Sequence, residues 1–224
     1  MRKIQLVLVA LIVLILSAFK ADHVITIYMI GDSTMSNKPL EGNNQERGWG
    51  HVLGSFFTED VRVENHAMNG RSSKSFIDER RWETVVNKIR PGDYVFIQFG
   101  HNDEKPQPER HTDPGTTFDE NLRKFVRETR AKGGIPVLFN SIVRRNFGVN
   151  PDAVAADDIR PEKDEAVVEG DTLIDTHGKY LESPRNVAKE MDVCFIDLNQ
   201  ATKKLVESYG VEGSKKLFMW IPAV

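Results

Sequence analysis

A single cysteine among 224 residues leaves no intramolecular disulfide to staple the fold, so stability must come from a packed core. That residue, Cys194, stands in "VCFIDL", which reads as a buried strand carrying an inert thiol. Charge of one sign is also missing: 30 basic residues face 33 acidic ones, and they are interspersed along the chain. Without a basic block there is no footprint for nucleic acid, and without an acidic tail there is no solvating linker. Internal repeats and low-complexity tracts are absent, and no shift in composition marks a second domain. His66, His101 and His111 do not stand at the spacing of a metal motif, so no metal is expected; an organic cofactor is not expected either.

What is present suits one globular unit. At 40% hydrophobic residues the chain can bury a single sizeable core, and a monomer is expected. Arg2 and Lys3 precede "IQLVLVALIVLIL", which ends in the small residues Ser17 and Ala18, the layout of a secretory leader. Residues 1–21 are therefore expected to be a signal peptide and 22–224 an exported domain, periplasmic or secreted. Phe19 and Lys20 interrupt the small-x-small cleavage pattern, so an uncleaved leader is the one membrane attachment to consider.

Past the leader, apolar runs of strand length recur at "VITIYMI", "VRVEN", "YVFIQFG", "IPVLFNS" and "VCFIDL", each bounded by Gly, Pro, Asp or Asn. Amphipathic stretches of helical length alternate with them: "RGWGHVLGSFF", "SKSFIDERRWETVVNKI", "TFDENLRKFVRETRAKG", "SPRNVAKEM" and "ATKKLVESYG". This βα alternation predicts a parallel sheet of five strands with helices on both faces. Thr117 with Glu120 suggests a capping box, Ser183-Pro184 an N-cap followed by Pro at N1, and Gly133-Gly134 a helix stop. From Arg144 to Thr176 there is no clear periodicity, which marks an insertion too long for an ordinary connection.

In an open parallel sheet ligands gather beyond the carboxyl ends of the strands. The segments there are "GDSTMSN", "NHAMNGRSS", "GHNDEKPQ" and "NSIVRRNF". Ser33, in the first, is a candidate nucleophile; a serine hydroxyl needs a base to take its proton and donors for the oxyanion that develops. The backbone N–H of Ser33, that of Gly70, and the side-chain amide of Asn102 are the candidate donors. Asp32 also follows a strand, as a phosphatase nucleophile would. No second Asp stands at the Asp-x-Asp spacing, however, and no Lys-Ser/Thr ends a phosphate loop, so phosphoryl transfer is not expected. Arg144 and Arg145 are candidates for pairing with a sugar carboxylate. Trp49, Trp82 and Trp220 are candidates for stacking on sugar rings, although Trp82 shares a helix with Val85, Val86 and Ile89 and reads as core.

Taken together, "IGDST", "NHAMNGRSS" and "FGHND" resemble the first three sequence blocks of the SGNH (GDSL-like) hydrolases, in order and at compatible separations. The likeness is nearest to the rhamnogalacturonan acetylesterase branch, and "DTHGKY" and "LFMWIPA" extend it over nearly everything after the leader. The resemblance implies a flavodoxin-like three-layer α/β/α sandwich and a serine acyl-enzyme that removes acetyl groups from an acetylated polysaccharide or oligosaccharide. It also implies Ser33 as nucleophile, with Ser33, Gly70 and Asn102 forming the oxyanion hole. The family's histidine base belongs to an Asp-x-x-His block near the C-terminus, and no such block follows "FGHND" here. Asp175-Thr176-His177 has one intervening residue, so His177 is not expected to be the base. The fold is accordingly expected to be C-terminally incomplete, and the chain weakly active or inactive. A non-catalytic carbohydrate-binding chain and a lipase or thioesterase of the same superfamily are the alternatives.

Overall fold

The computed structural model describes residues 24–147 and 173–218. The expected leader, the middle of the insertion and Trp220 lie outside these residues. Five strands form one parallel sheet: β1 (Ile25–Gly31), β2 (Val61–Asn65), β3 (Tyr94–Gln98), β4 (Ile135–Phe139) and β5 (Cys194–Ile196), in the order β2-β1-β3-β4-β5. Strand order reverses between β1 and β3, the switch point at which flavodoxin-like sheets bind their ligands. The chain leaves β1 into Asp32 and Ser33 at that crevice.

Helices α1 (Trp49–Val52), α2 (Ser73–Asp78), α3 (Arg81–Val86), α4 (Thr117–Ala131), α5 (Glu182–Met191) and α6 (Leu198–Gly213) complete the fold. The sheet separates two cores because side chains alternate along each strand. On one face, Tyr28, Ile30, Val95, Ile97 and Leu138 pack against Phe76, Trp82, Phe118, Leu122, Phe125 and Val187 from α2 to α5. Helix α4 is the main cover: Phe118, Leu122, Phe125 and Val126 recur at helical spacing and are all buried. Phe125 lies 5.6 Å from Phe99 and 5.1 Å from Trp82 between ring centroids, and burying such a side chain contributes about 1.5–3 kcal/mol. On the other face, Ile27 and Met29 meet Trp49 and Leu53 with Phe96 and Val63. A third cluster joins Val206 of α6 to Val143, Phe147 and Leu173.

Several local expectations change on contact with the tertiary structure. The stretch expected as one helix over 73–89 breaks at Arg80, which is left-handed at φ 57°; the break lets Phe76 of α2 and Trp82 of α3 enter the same core. No capping box forms at Thr117, whose hydroxyl instead accepts the Asp113 N–H at 2.7 Å, while Glu120 reaches Arg127 at 2.6 Å. A capping box does form at the head of α2, between Ser72 and Ser75. Helix α5 starts at Glu182, straight out of a 3-10 turn at Gly178–Leu181, so Ser183 lies inside the helix and is not its cap. The stop at Gly133-Gly134 is as expected: Gly133 is at φ 77°, and the N–H groups of Gly133 and Gly134 return to the carbonyls of Arg130 and Thr129. Cys194 is exposed, not buried, because β5 is the edge strand and only Phe195 of its residues packs against the larger core.

Candidate active site

The site is built by the chain segments that leave β1, β2, β3 and β4. After β1, the carbonyl of Asp32 accepts the N–H groups of Met35 and Ser36 at 3.3 and 3.1 Å, closing a turn with Ser33 at its bend. Asp32 Oδ1 accepts from the Thr34 N–H at 2.9 Å and from the Thr34 hydroxyl at 2.7 Å. The same hydroxyl accepts from Gln98 Nε2 of β3 at 2.8 Å, and Gln98 Oε1 accepts from Trp49 Nε1 at 2.6 Å. Trp49 also returns its backbone N–H to the Thr34 carbonyl at 2.9 Å. Gly50 permits this contact, since a Cβ there would stand 2.6 Å from the Met35 carbonyl. Trp49 is thus committed to holding the Ser33 turn, Trp82 is core as expected, and neither is presented for sugar stacking.

Ser33 itself is half-buried, and its hydroxyl has no hydrogen-bond partner among the described residues. Its N–H and that of Gly70 likewise donate to no acceptor among them, which is what an anion-receiving pair requires. The loop after β2 runs beside the β1 end, with the Met68 N–H on the Gly31 carbonyl at 3.0 Å, and turns at Gly70 with φ 75°. Asn102, only 3% exposed, donates one amide hydrogen to the Arg71 carbonyl at 3.1 Å, tying the third block to the second and leaving its other hydrogen over.

Below these donors lie two fully buried carboxylates. Asp103 binds Ser73 through both its N–H and its hydroxyl, the Thr112 hydroxyl at 2.9 Å and the Gly100 N–H at 3.1 Å, so it welds the loops after β2 and β3 together. Burial pushes it up to about 7 although the Ser73 and Thr112 donors hold it down, and the Asp32 charge adds to the rise. Burial likewise pushes Asp32 up to about 6, against the Thr34 hydrogen bonds and the positive charges of His177 and Arg144. Its Oδ2 has no partner among the described residues.

The sign for Asp32 follows from linkage. The folded state holds the proton more tightly than the unfolded chain, so this carboxyl's contribution to stability is full below about pH 4 and is lost as pH rises through about 6. Asp32→Asn keeps the Thr34 acceptor and cannot ionise. Its stability relative to wild type is expected to rise by about 2–3 kcal/mol between pH 4 and pH 7. Urea midpoints across that range check this, and a pH-independent difference would contradict it.

The three histidines named from the sequence are accounted for differently. His66 lies against Glu64 at 3.4 Å and His111 against Asp113 at 3.3 Å. His101 is buried with its ring 4.5 Å from that of His177, and burial lowers it well below the ordinary imidazole range. His177 places Nδ1 3.0 Å from Glu104 Oε2 and Nε2 3.0 Å from the Ile142 carbonyl. Both ring nitrogens are thereby occupied. Among the described residues no group of His, Cys, Asp and Glu is arranged to hold a metal ion.

Arg144 forms an ion pair with Glu104 and donates to the Thr176 hydroxyl at 3.2 Å, so its guanidinium braces the Asn102 loop from within. Arg145 donates to the Ser214 hydroxyl at 2.9 Å and the Val211 carbonyl at 2.5 Å, with its guanidinium over the Phe147 ring. Both side chains expected to reach a sugar carboxylate are engaged by the protein's own groups, because the chain after β4 packs against α6 and the Asp175–Gly178 turn. Sequence reasoning missed Asp103, Glu104, Thr34 and Gln98. For Asp103, Glu104 and Thr34 the signal was their place inside the quoted segments after the strands; Gln98, inside the third strand, had none.

The sequence matches the GDSL-like Lipase/Acylhydrolase family over residues 29–211, which spans all of the loops just described. The chain belongs to this family. Among curated relatives, the rhamnogalacturonan acetylesterase RhgT of Bacillus subtilis is 40% identical over 196 residues, covering 88% of this chain and 74% of the relative. The probable rhamnogalacturonan acetylesterase YesY of the same organism is 31% identical over 200 residues, covering 89% and 80% respectively. The crystal structure of Bacillus subtilis YxiM superposes with a TM-score of 0.71 at 26% identity, covering 87% of this chain and 49% of that one. The GDSL-like fold is therefore the five-stranded parallel sandwich seen here, and membership makes the chain an ester hydrolase by family.

Proposed function

We propose that the protein removes O-acetyl groups from a pectic polysaccharide of the rhamnogalacturonan type through an acetyl–Ser33 intermediate. The observation that carries this reading is the convergence of Ser33, Gly70 and Asn102 from three strand ends in a chain 40% identical to a rhamnogalacturonan acetylesterase. In the first step Ser33 Oγ attacks the acetyl carbonyl, its proton passes to a base, and the sugar alkoxide leaves with a proton. The carbonyl oxygen turned oxyanion is met by the N–H groups of Ser33 and Gly70 and by the spare Asn102 hydrogen. Water then hydrolyses the acetyl–serine by the reverse proton path. The loops after β1, β2 and β3 are polar and charged, which favours a sugar ester over a long acyl chain that would need an apolar slot.

One observation favours a second reading. No imidazole stands within hydrogen-bond reach of the Ser33 hydroxyl among the described residues, and a chain lacking the base would bind the polysaccharide with little turnover. Acetate release from acetylated rhamnogalacturonan, compared with an aryl acetate and an aryl palmitate, separates the two. The proposal expects both acetates to be hydrolysed, at about a hundredfold or more above the palmitate in kcat/KM. A preference for palmitate would replace it with a lipase, and saturable polysaccharide binding without acetate release would replace it with the binding reading.

A further inference from the structure

Five residues after Ser33, Lys38 is buried with its side chain only 1% exposed. An ammonium is tolerated there only when its donors are taken up. Lys38 Nζ lies 2.7 Å from Asn69 Oδ1 and 2.8 Å from Glu46 Oε1. The same Asn69 oxygen accepts from the Ser36 hydroxyl at 2.5 Å, so two residues of the Ser33 loop close on one atom of the residue preceding Gly70. The Lys38 backbone is itself fixed, its N–H donating to His51 Nδ1 of α1 at 3.2 Å. Beyond Gly70 the turn is secured by Arg71, which donates to the Asn69 carbonyl at 3.0 Å and to Glu79 at 3.1 Å. Gly70 has no packing of its own, since nothing lies within 4 Å of where a Cβ would stand. A left-handed glycine in open space is held only by its neighbours.

We propose that Lys38 is a positioning residue for ester hydrolysis: gripping Asn69 from the Ser33 side, it fixes the Gly70 N–H relative to Ser33. This inference rests on the acyl-enzyme reading above. It requires that Lys38 act through Asn69, with Glu46 serving only to balance the charge. A donor held in place before the reaction stabilises the transition state without reorganisation, so the effect falls on kcat and leaves KM nearly unchanged.

The test uses an aryl acetate, the protein and five variants. Lys38→Met is expected to lower kcat by about ten- to a hundredfold with KM within about twofold of wild type. Asn69→Ala, at an exposed position, is expected to give the same loss even if the Lys38 variant folds poorly. The double variant is expected to lose no more than either single one, since both act through one contact. Glu46→Gln is expected to stay within about twofold of wild type in kcat. Amide exchange at Arg71, whose N–H closes the turn on the Met68 carbonyl at 3.3 Å, reads the turn directly, needs no turnover, and is expected to quicken in Lys38→Met and Asn69→Ala. Ser33→Ala separates the failures: activity surviving in that variant overturns the acyl-enzyme reading itself. A dead Ser33 variant beside a Lys38→Met protein with wild-type kcat and exchange overturns only the present inference. A Glu46→Gln loss equal to that of Lys38→Met also overturns it, and so does unchanged exchange in an enzyme that shows no turnover.

Discussion

Ser33→Ala is expected to lower acetate release by roughly a thousandfold to a millionfold, the range over which removing a serine nucleophile collapses hydrolysis. The substitution removes one oxygen from a half-buried position whose hydroxyl holds nothing else in place. The turn around it is set by the Asp32 carbonyl and by Thr34, Gln98 and Trp49, so folding stability is expected to stay within about 0.5 kcal/mol of wild type. That separation makes the experiment sharp: activity falls while the urea midpoint does not. The size of the fall carries further information, because nucleophile and base act as a unit. A loss near the upper end means that a histidine is coupled to Ser33 in the working enzyme. A loss of only about tenfold means that the measured rate came from the oxyanion site and binding without an activated serine. Acetyl–Ser33 seen by mass spectrometry of the wild type, and absent from the variant, would place the intermediate. Equal rates in both proteins would remove Ser33 from the chemistry.

The sheet was legible because its strands are short, apolar and punctuated. "VRVEN" coincides with β2 residue for residue, and the other strands differ from their runs only at the ends: β1 starts one residue later and pairs on to Gly31, while β3, β4 and β5 are shorter than their runs. Helix ends were less legible, since they answer to tertiary partners. The Thr117 hydroxyl has two claimants, and the Asp113 turn wins; the kink at Arg80 exists to share a core that the periodicity of 73–89 does not reveal. Cys194 misled for a related reason: an apolar run shows that a strand is there but not whether it lies at the centre or the edge. At the site, the residues proposed to meet the reacting ester, Ser33, Gly70 and Asn102, stand inside short motifs. The contacts that hold them are not legible there. Glu104 meets His177 across 73 positions, and Lys38 meets Asn69 across 31, pairings that only the fold creates. The arginines show the converse. Their place after a strand suggested a ligand, whereas the chain after β4 turns them onto Glu104 and the end of α6.

Asn102→Ala carries the second large effect, a fall of about a hundred- to a thousandfold in kcat with KM little changed, the usual consequence of losing one oxyanion donor. The amide has two hydrogens and two tasks. One hydrogen joins the Arg71 carbonyl at 3.1 Å and so fastens the loop after β3 to the turn that carries Gly70. The other is the proposed donor to the oxyanion. Alanine removes both, leaving the Arg71 carbonyl without this partner, at a cost of about 1 kcal/mol in stability. If Asn102 were only a strut between loops, its loss would appear in the urea midpoint and in a modest change of kcat. If it meets the oxyanion, kcat falls far more than a change of that size explains, since 1.4 kcal/mol corresponds to only about tenfold. Two independent supports make the second outcome the expected one. Asp103 already welds the same two loops through Ser73, and Glu104 anchors the far side of the loop on Arg144 and His177. With the loop so braced, the Asn102 amide is not needed to hold it, and the loss in kcat is expected to come from the spare hydrogen.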